Sequence, residues 1–384
     1  MTGLAATTMS LEPSARIEFG VGAIARLPEC LDELGADRVF LVTDVGLRAA
    51  GVVDRVVGLL ESSGRAVTVH DAITPNPGTA TLDAAAAAVR SACSAGTAAG
   101  CAVVALGGGS VLDAAKGIAL LGTNSATARD LAARTAMRPG LLVVAVPTTA
   151  GTGAETNGFG VIEDERAHRK LYVGDASVRP RVCVLDPELT VGLPRAATAA
   201  TGIDALVHGI ESLASRGANP VSVAYAAEAV RLVSGSLAAA VADGTDLEAR
   251  AQLLLGSHLA GRALSISGLG LVHGIAHATT SHTGAVHGVA LAAVLAEVME
   301  RTAAVAGPAY ARVAEAMGAS PGTAVAAAGA LASEVGVHRR LREVGVVETL
   351  VTPIAATARA DAVTRNHPRL MDQAEVEDVV AACR

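Results

Sequence analysis

Three short runs in the first half of the chain are almost wholly apolar: VFLVTD at 39–44, CAVVAL at 101–106 and LLVVAV at 141–146. Each is continuous rather than alternating, the pattern of a strand covered on both faces. Between them lie stretches of helical period such as TLDAAAAAVRSAC at 81–93, and PNP at 75–77 and the turn around Gly107 punctuate the alternation. The first half therefore predicts an α/β domain with a parallel sheet. After VCVLDPELTVGLP at 182–194 the β-branched runs stop and long Ala/Leu segments take over. The stretch NPVSVAYAAEAVRLVSGSLAAAV from Asn219 has the apolar spacing of a buried helix. The expected architecture is a Rossmann-like α/β domain at 1–190 followed by an all-α domain at 191–384, joined by a linker flanked by Pro187 and Pro194.

Composition narrows the picture. Of 384 residues, 51% are hydrophobic but only 2% aromatic, with no Trp, so Ala, Val and Leu must fill the core. Thirty basic and 37 acidic side chains give a net charge of −7 with no Lys/Arg run, which argues against nucleic acid as a partner. The first fifteen residues lack a basic segment followed by an apolar one, and no apolar run approaches the ~20 residues needed to cross a bilayer. A soluble, cytoplasmic chain is expected. Its five scattered cysteines, with no Cys-x-x-Cys pair, are expected to be reduced.

Two loops invite an anionic ligand. ALGGGSVLDAAKG at 105–117 leaves a strand through Gly107, Gly108 and Gly109, where backbone N–H groups can approach a phosphate, and Ser110 with Asp113 reads as a helix cap with an acid at its third position. A plain structural turn is the alternative. PTTAGTGAE at 147–155 leaves the next strand, with hydroxyls from Thr148, Thr149 and Thr152 suited to a nucleotide's ribose and amide. Two such loops on successive strands form a dinucleotide crevice more readily than either alone. Asp44 ends its strand either as a simple cap or as an acceptor for a ribose diol, in which case NAD is preferred over NADP.

Histidine supplies the sharpest pattern. Of ten imidazoles, His258, His273, His277, His282 and His287 fall within 30 positions. His273 and His277 share a helix face at i,i+4, as do Asp204 and His208 in TGIDALVHGIE. An acid and imidazoles converging from two apolar helices make a divalent-metal site. An unbroken helix would turn His287 about 80° off the face of His277. A break among Thr279, Thr280, Thr283 and Gly284 is therefore expected, with His287 and Gly288 opening a new helix. Asp204, His208, His273 and His287 are the expected ligands, and His277 is left for proton transfer. His70, His168, His338 and His367 receive no role.

Taken together, LVTDVGLRAAG, TPNP, ALGGGSVLDAAKG, VPTTAGTGAET, VLDPELTVGLP, AATGIDALVHGIE, GLGLVHGIAH and VHGVA, in this order and over nearly the whole chain, resemble the iron-containing alcohol dehydrogenases. The resemblance implies NAD(H), one Fe²⁺ or Zn²⁺ on the four ligands above, and a small alcohol or aldehyde in the cleft between the domains. It also places Gly107 to Ser110 on the pyrophosphate, the three threonines along the nucleotide, Asp44 at the adenosine ribose and His277 beside the substrate. Phe159, Leu264 and His282 are expected at the substrate pocket, and the assembly is expected to be a homodimer or larger. One stretch departs from the family. Before the last ligand the chain reads TTSHTGAVH, with His282 near a usual aromatic position and Val286 in place of Pro; this is either simple loop drift or the mark of a pocket for a polar or anionic aldehyde. The rivals are an oxo-acid reductase resembling maleylacetate reductases, a lyase resembling dehydroquinate synthase that uses NAD transiently, and a non-catalytic sensor.

Overall fold

A computed structural model describes Met9, Leu11 and residues 13–94, 100–133, 137–167 and 169–384. Among the described residues the first part carries eight strands: β1 (Arg16–Phe19), β2 (Arg38–Val42), β3 (Ala66–His70), β4 (Cys101–Gly107), β5 (Leu142–Pro147), β6 (Phe159–Asp164), β7 (Arg169–Gly174) and β8 (Val182–Leu185). With them run α1 (Leu27–Glu33), α2 (Val45–Ala49), α3 (Val52–Ser62), α4 (Thr79–Ser94), α5 (Gly109–Leu121) and α6 (Ala128–Ala133). The remainder is helical among the described residues: α7 (Arg195–Ala214), α8 (Pro220–Ala242), α9 (Leu247–Ser267), α10 (Leu271–Thr283), α11 (His287–Ala316), α12 (Ala324–Glu334), α13 (Val351–Ala360) and α14 (Gln373–Cys383), with short 3₁₀ turns between.

Six strands form one parallel sheet in the order β1-β8-β5-β4-β2-β3, and β6 and β7 make a separate antiparallel hairpin. The period of two explains the unbroken apolar runs. Val39 and Leu41 point to one buried face, packed on Leu31 of α1 and Val56 of α3, while Phe40 and Val42 point to the other. That second face shares one continuous core with the helical half, including Ile203 of α7 and Ile275 of α10. The sheet and the helices are therefore welded along one side, and the strand ends open onto the helical half. The three runs read from sequence are β2, β4 and β5; β1, β8 and the hairpin carried no pattern distinct enough to single out. Among the described residues no single helix is long and apolar enough to cross a membrane.

One expectation fails here. Cys93 at the end of α4 and Cys101 at the start of β4 are joined by a disulfide, with Cα atoms 5.5 Å apart. Eight residues of separation matched no motif, and it is the fold that brings the two buried thiols into bonding range. Cys30, Cys183 and Cys383 are free and buried.

Candidate metal centre and cofactor cleft

The two small-residue loops meet because β4 and β5 are neighbours in register, Gly107 opposite Pro147, and Thr148 N–H donates to Gly107 O at 3.0 Å. The close packing requires glycine. A Cβ at Gly109 would stand 2.4 Å from Thr152 Cγ2, and one at Gly108 would stand 3.0 Å from Thr149 Cγ2. The helix cap differs from expectation. Gly108 is the N-cap of α5, so Ser110 lies inside the first turn and accepts from Asn76 N–H, while Asp113 accepts from Val161 N–H and from the buried Lys116 ammonium. Asp113 faces away from its own helix end because the hairpin offers it better donors. Asp44 sits just beyond β2 and caps α2 by accepting from Leu47 N–H at 3.0 Å, the plainer of its two alternatives.

The helical half supplies the ionisable groups. Asp204 and His208 lie on α7, His273 and His277 on α10, and His287 is the first residue of α11. The break before it falls at Gly284, which takes φ +73° at the end of α10, a left-handed turn that glycine adopts without strain; Thr279, Thr280 and Thr283 stay helical. His208 Nε2 and His273 Nε2 each stand 3.3 Å from Asp204 Oδ1, and His287 Nε2 stands 3.7 Å away. Around a cation with bonds near 2.1 Å, tetrahedral ligand atoms lie about 3.4 Å apart. The tautomers agree. His208 Nδ1–H donates to Gly151 O and His273 Nδ1–H donates to Glu211 Oε2 at 2.5 Å, so both Nε2 lone pairs converge on a carboxylate oxygen. Acceptors crowded this closely, nearly all buried, need a shared positive charge.

Burial and neighbours set the charge states. Burial holds His208 and His287 below the ordinary imidazole value. Burial would also lower His273, but the carboxylates of Asp204 and Glu211 beside it outweigh that and raise it. Burial opposes ionisation of Asp204, yet the surrounding imidazoles bring its carboxyl well below the usual range. Glu211 escaped the sequence analysis although it lies seven residues after Asp204 on the same face of α7. It accepts from Val272 N–H, His273 N–H and His273 Nδ1–H together, locking the start of α10 and one imidazole.

These groups open onto a cavity of about 310 Å³ between the halves, the size of a small-molecule site. Gly109, Ser110 and Thr152 line one side, Asp204, His208, His273, His277 and His287 the other, and Phe159, Leu264, Leu269, Val286 and Val363 close the space between. Phe159 and Leu264 both line this cavity. His282 does not line the cavity. Its Nε2 shares a hydrogen bond with Thr357 Oγ1 on α13, because the last turn of α10 carries it round to that helix. His258 is likewise elsewhere, donating to the buried Glu155 at 3.0 Å. Among the histidines given no role, His70 stacks on Phe40, His338 is exposed, His367 accepts from Leu271 N–H, and His168 lies outside the described residues.

The profile of iron-containing alcohol dehydrogenases matches residues 13–187, and that of the C-terminal domain of the same enzymes matches 198–383. The chain belongs to the iron-containing alcohol dehydrogenase family. It is 37% identical over 367 residues to the probable alcohol dehydrogenase EutG of Salmonella typhimurium, covering 94% of this chain and 91% of that one. It is 32% identical to the NAD-dependent methanol dehydrogenase of Bacillus methanolicus, covering 97% and 99%. The crystal structure of a 1,3-propanediol oxidoreductase superposes with a TM-score of 0.92 at 32% identity, over 98% of this chain and 100% of that one. As a member of this family the chain is an alcohol dehydrogenase, an oxidoreductase acting on CH–OH groups.

Proposed function

We propose that the protein interconverts a small, largely apolar alcohol and its aldehyde with NAD(H) and one Fe²⁺ or Zn²⁺ at the Asp204, His208, His273 and His287 cluster. The observation that carries this is the convergence of three imidazoles and one carboxylate oxygen at the inner end of a cleft whose other wall is the paired glycine and threonine loops. Residues 1–190 then form the cofactor domain and 191–384 the metal and substrate domain. In that reading Gly107, Gly108, Gly109 and Ser110 face the pyrophosphate, and Thr148, Thr149 and Thr152 flank the nucleotide. Asp44 keeps its second carboxylate oxygen for a ribose hydroxyl, which favours NAD over NADP.

When bound, the cation supplies Lewis-acid polarisation of the substrate oxygen and the nicotinamide supplies or accepts the hydride. The chain does the rest. Leu264, Leu269, Val286 and Val363 exclude water and select a short alkyl group. His277 Nε2 takes the hydroxyl proton in oxidation and returns it in reduction. Since His282 points to α13, the reason for expecting an anionic aldehyde falls away. An aldehyde panel scored by NADH oxidation, with metal content measured alongside, tests the reading. Short n-alkanals should outrun carboxylated or phosphorylated aldehydes, and the reverse ranking overturns the substrate class. NADH that never accumulates from any alcohol would favour the lyase-like rival instead.

A further inference from the structure

His277 is not alone in the cleft. Its Nδ1–H donates to Asp361 Oδ2 at 2.7 Å, and the other oxygen, Oδ1, accepts from Tyr172 OH at 2.9 Å and from Val363 N–H at 3.1 Å. Asp361 ends α13 in extended backbone and caps the 3₁₀ turn that follows, so its own chain fixes it from below. Tyr172 reaches it from the first domain. It stands on β7, steadied by an edge-on contact with Phe159 at 5.7 Å, and both rings line the cleft. Sequence spacing could not have joined these residues, because Asp361 is 84 positions from His277 and 189 from Tyr172.

We propose that Asp361 is the positioning residue for His277 and that Tyr172 anchors Asp361 from across the cleft, so that a relay running from the hairpin to the imidazole fixes which ring nitrogen faces the substrate. This rests on the proton-transfer role given to His277 above. A neutral imidazole is a donor at one nitrogen and an acceptor at the other, and the partner of the first decides the second. With Nδ1–H tied to a carboxylate, Nε2 carries the lone pair. Three donors on one carboxylate also offset the cost of burying it, which a lone aspartate at this depth would not escape. Burial and the adjacent Asp361 charge push Tyr172 up, so it remains a phenol donor throughout the working range. Because the relay crosses between the domains, the outer anchor on Asp361 is complete only when the hairpin sits against the helical half.

The geometry makes a definite prediction for Asp361→Asn. Two donors converge on Oδ1, so the amide oxygen must take that place and the NH₂ must face His277 Nδ1. The imidazole is then forced into the tautomer with its proton on Nε2. The experiment pairs ¹⁵N-histidine NMR on the metal-loaded protein with a double-mutant cycle. The His277 tautomer should switch in Asp361→Asn and stay as in the wild type in Tyr172→Phe, where Val363 still donates. In turnover, kcat should fall about 100-fold in Asp361→Asn, within the range general acid–base catalysis supplies, with KM, metal content and melting temperature nearly unchanged. Tyr172→Phe should lose several-fold. Both losses should vanish in a His277→Gln background, because each acts only through that ring. An unchanged tautomer in Asp361→Asn, or losses that multiply onto His277→Gln, overturns the proposal. A wild-type protein that oxidises no alcohol defeats the dehydrogenase reading instead, and the tautomer still decides the relay.

Discussion

The sheet side of the cleft is made of backbone and small residues, whereas the helical side is made of carboxylates and imidazoles. On the first side, shape depends on what is missing: at Gly109 a single added carbon would strike Thr152. On the second it depends on what is present and how each group is held, since Asp204, His208 and His273 are buried and every one has a named partner. Room can be lost by one methyl, while a donor set weakens in steps. The two sides should therefore fail independently and by different routes.

The largest effect should come from Asp204→Ala, which removes the one atom common to the three imidazoles. Bound metal should disappear and turnover should fall more than about 100-fold, beyond the loss an outer partner causes, while NADH affinity by fluorescence titration stays within about twofold. Parallel loss of NADH binding would show that the two walls are not separable. Gly109→Ala should do the converse. Overpacking of this kind costs about 1–3 kcal/mol, which is roughly 5- to 150-fold in affinity, and it should appear in the NADH dissociation constant with metal content intact. A cofactor affinity equal to wild type would remove Gly109 from the crevice. The finest probe is Glu211→Gln, which keeps the shape but replaces one acceptor beside His273 by a donor. Chelator competition should report metal binding weakened about 10- to 100-fold, again without change at the nucleotide.

The same contrast explains what could be read before the structure. Paired residues on one helix face, Asp204 with His208 and His273 with His277, are visible as i,i+4 spacing, and the need for a break before His287 follows from helix geometry. Extending that face by one more turn would have reached Glu211. The glycine and threonine loops were visible as composition, but not their mutual contact, which depends on β4 and β5 being neighbours. Asp113 and Ser110 were misassigned as a cap pair because local capping rules compete with distant partners, Val161 of the hairpin for Asp113 and Asn76 of the loop before α4 for Ser110. His282 was misplaced for the opposite reason: its proximity in sequence to the last ligand says nothing about which way the end of α10 points. Tyr172 and Asp361 could not be found at all, since only the packing of the hairpin against the helical half makes them partners.

His287 differs from the other three donors in how it is held. Asp204 and His208 lie one turn apart within α7, so helical rise sets their spacing, and His273 lies within α10, whose start is tied to α7 through Glu211. His287 begins a helix after Gly284, Ala285 and Val286, and its reach is set by a three-residue link. Lengthening or stiffening that link would leave the Asp204, His208 and His273 tripod intact and shift only the fourth arm. The connection between α10 and α11 is thus the place where this scaffold could change its choice of ion without rebuilding its core.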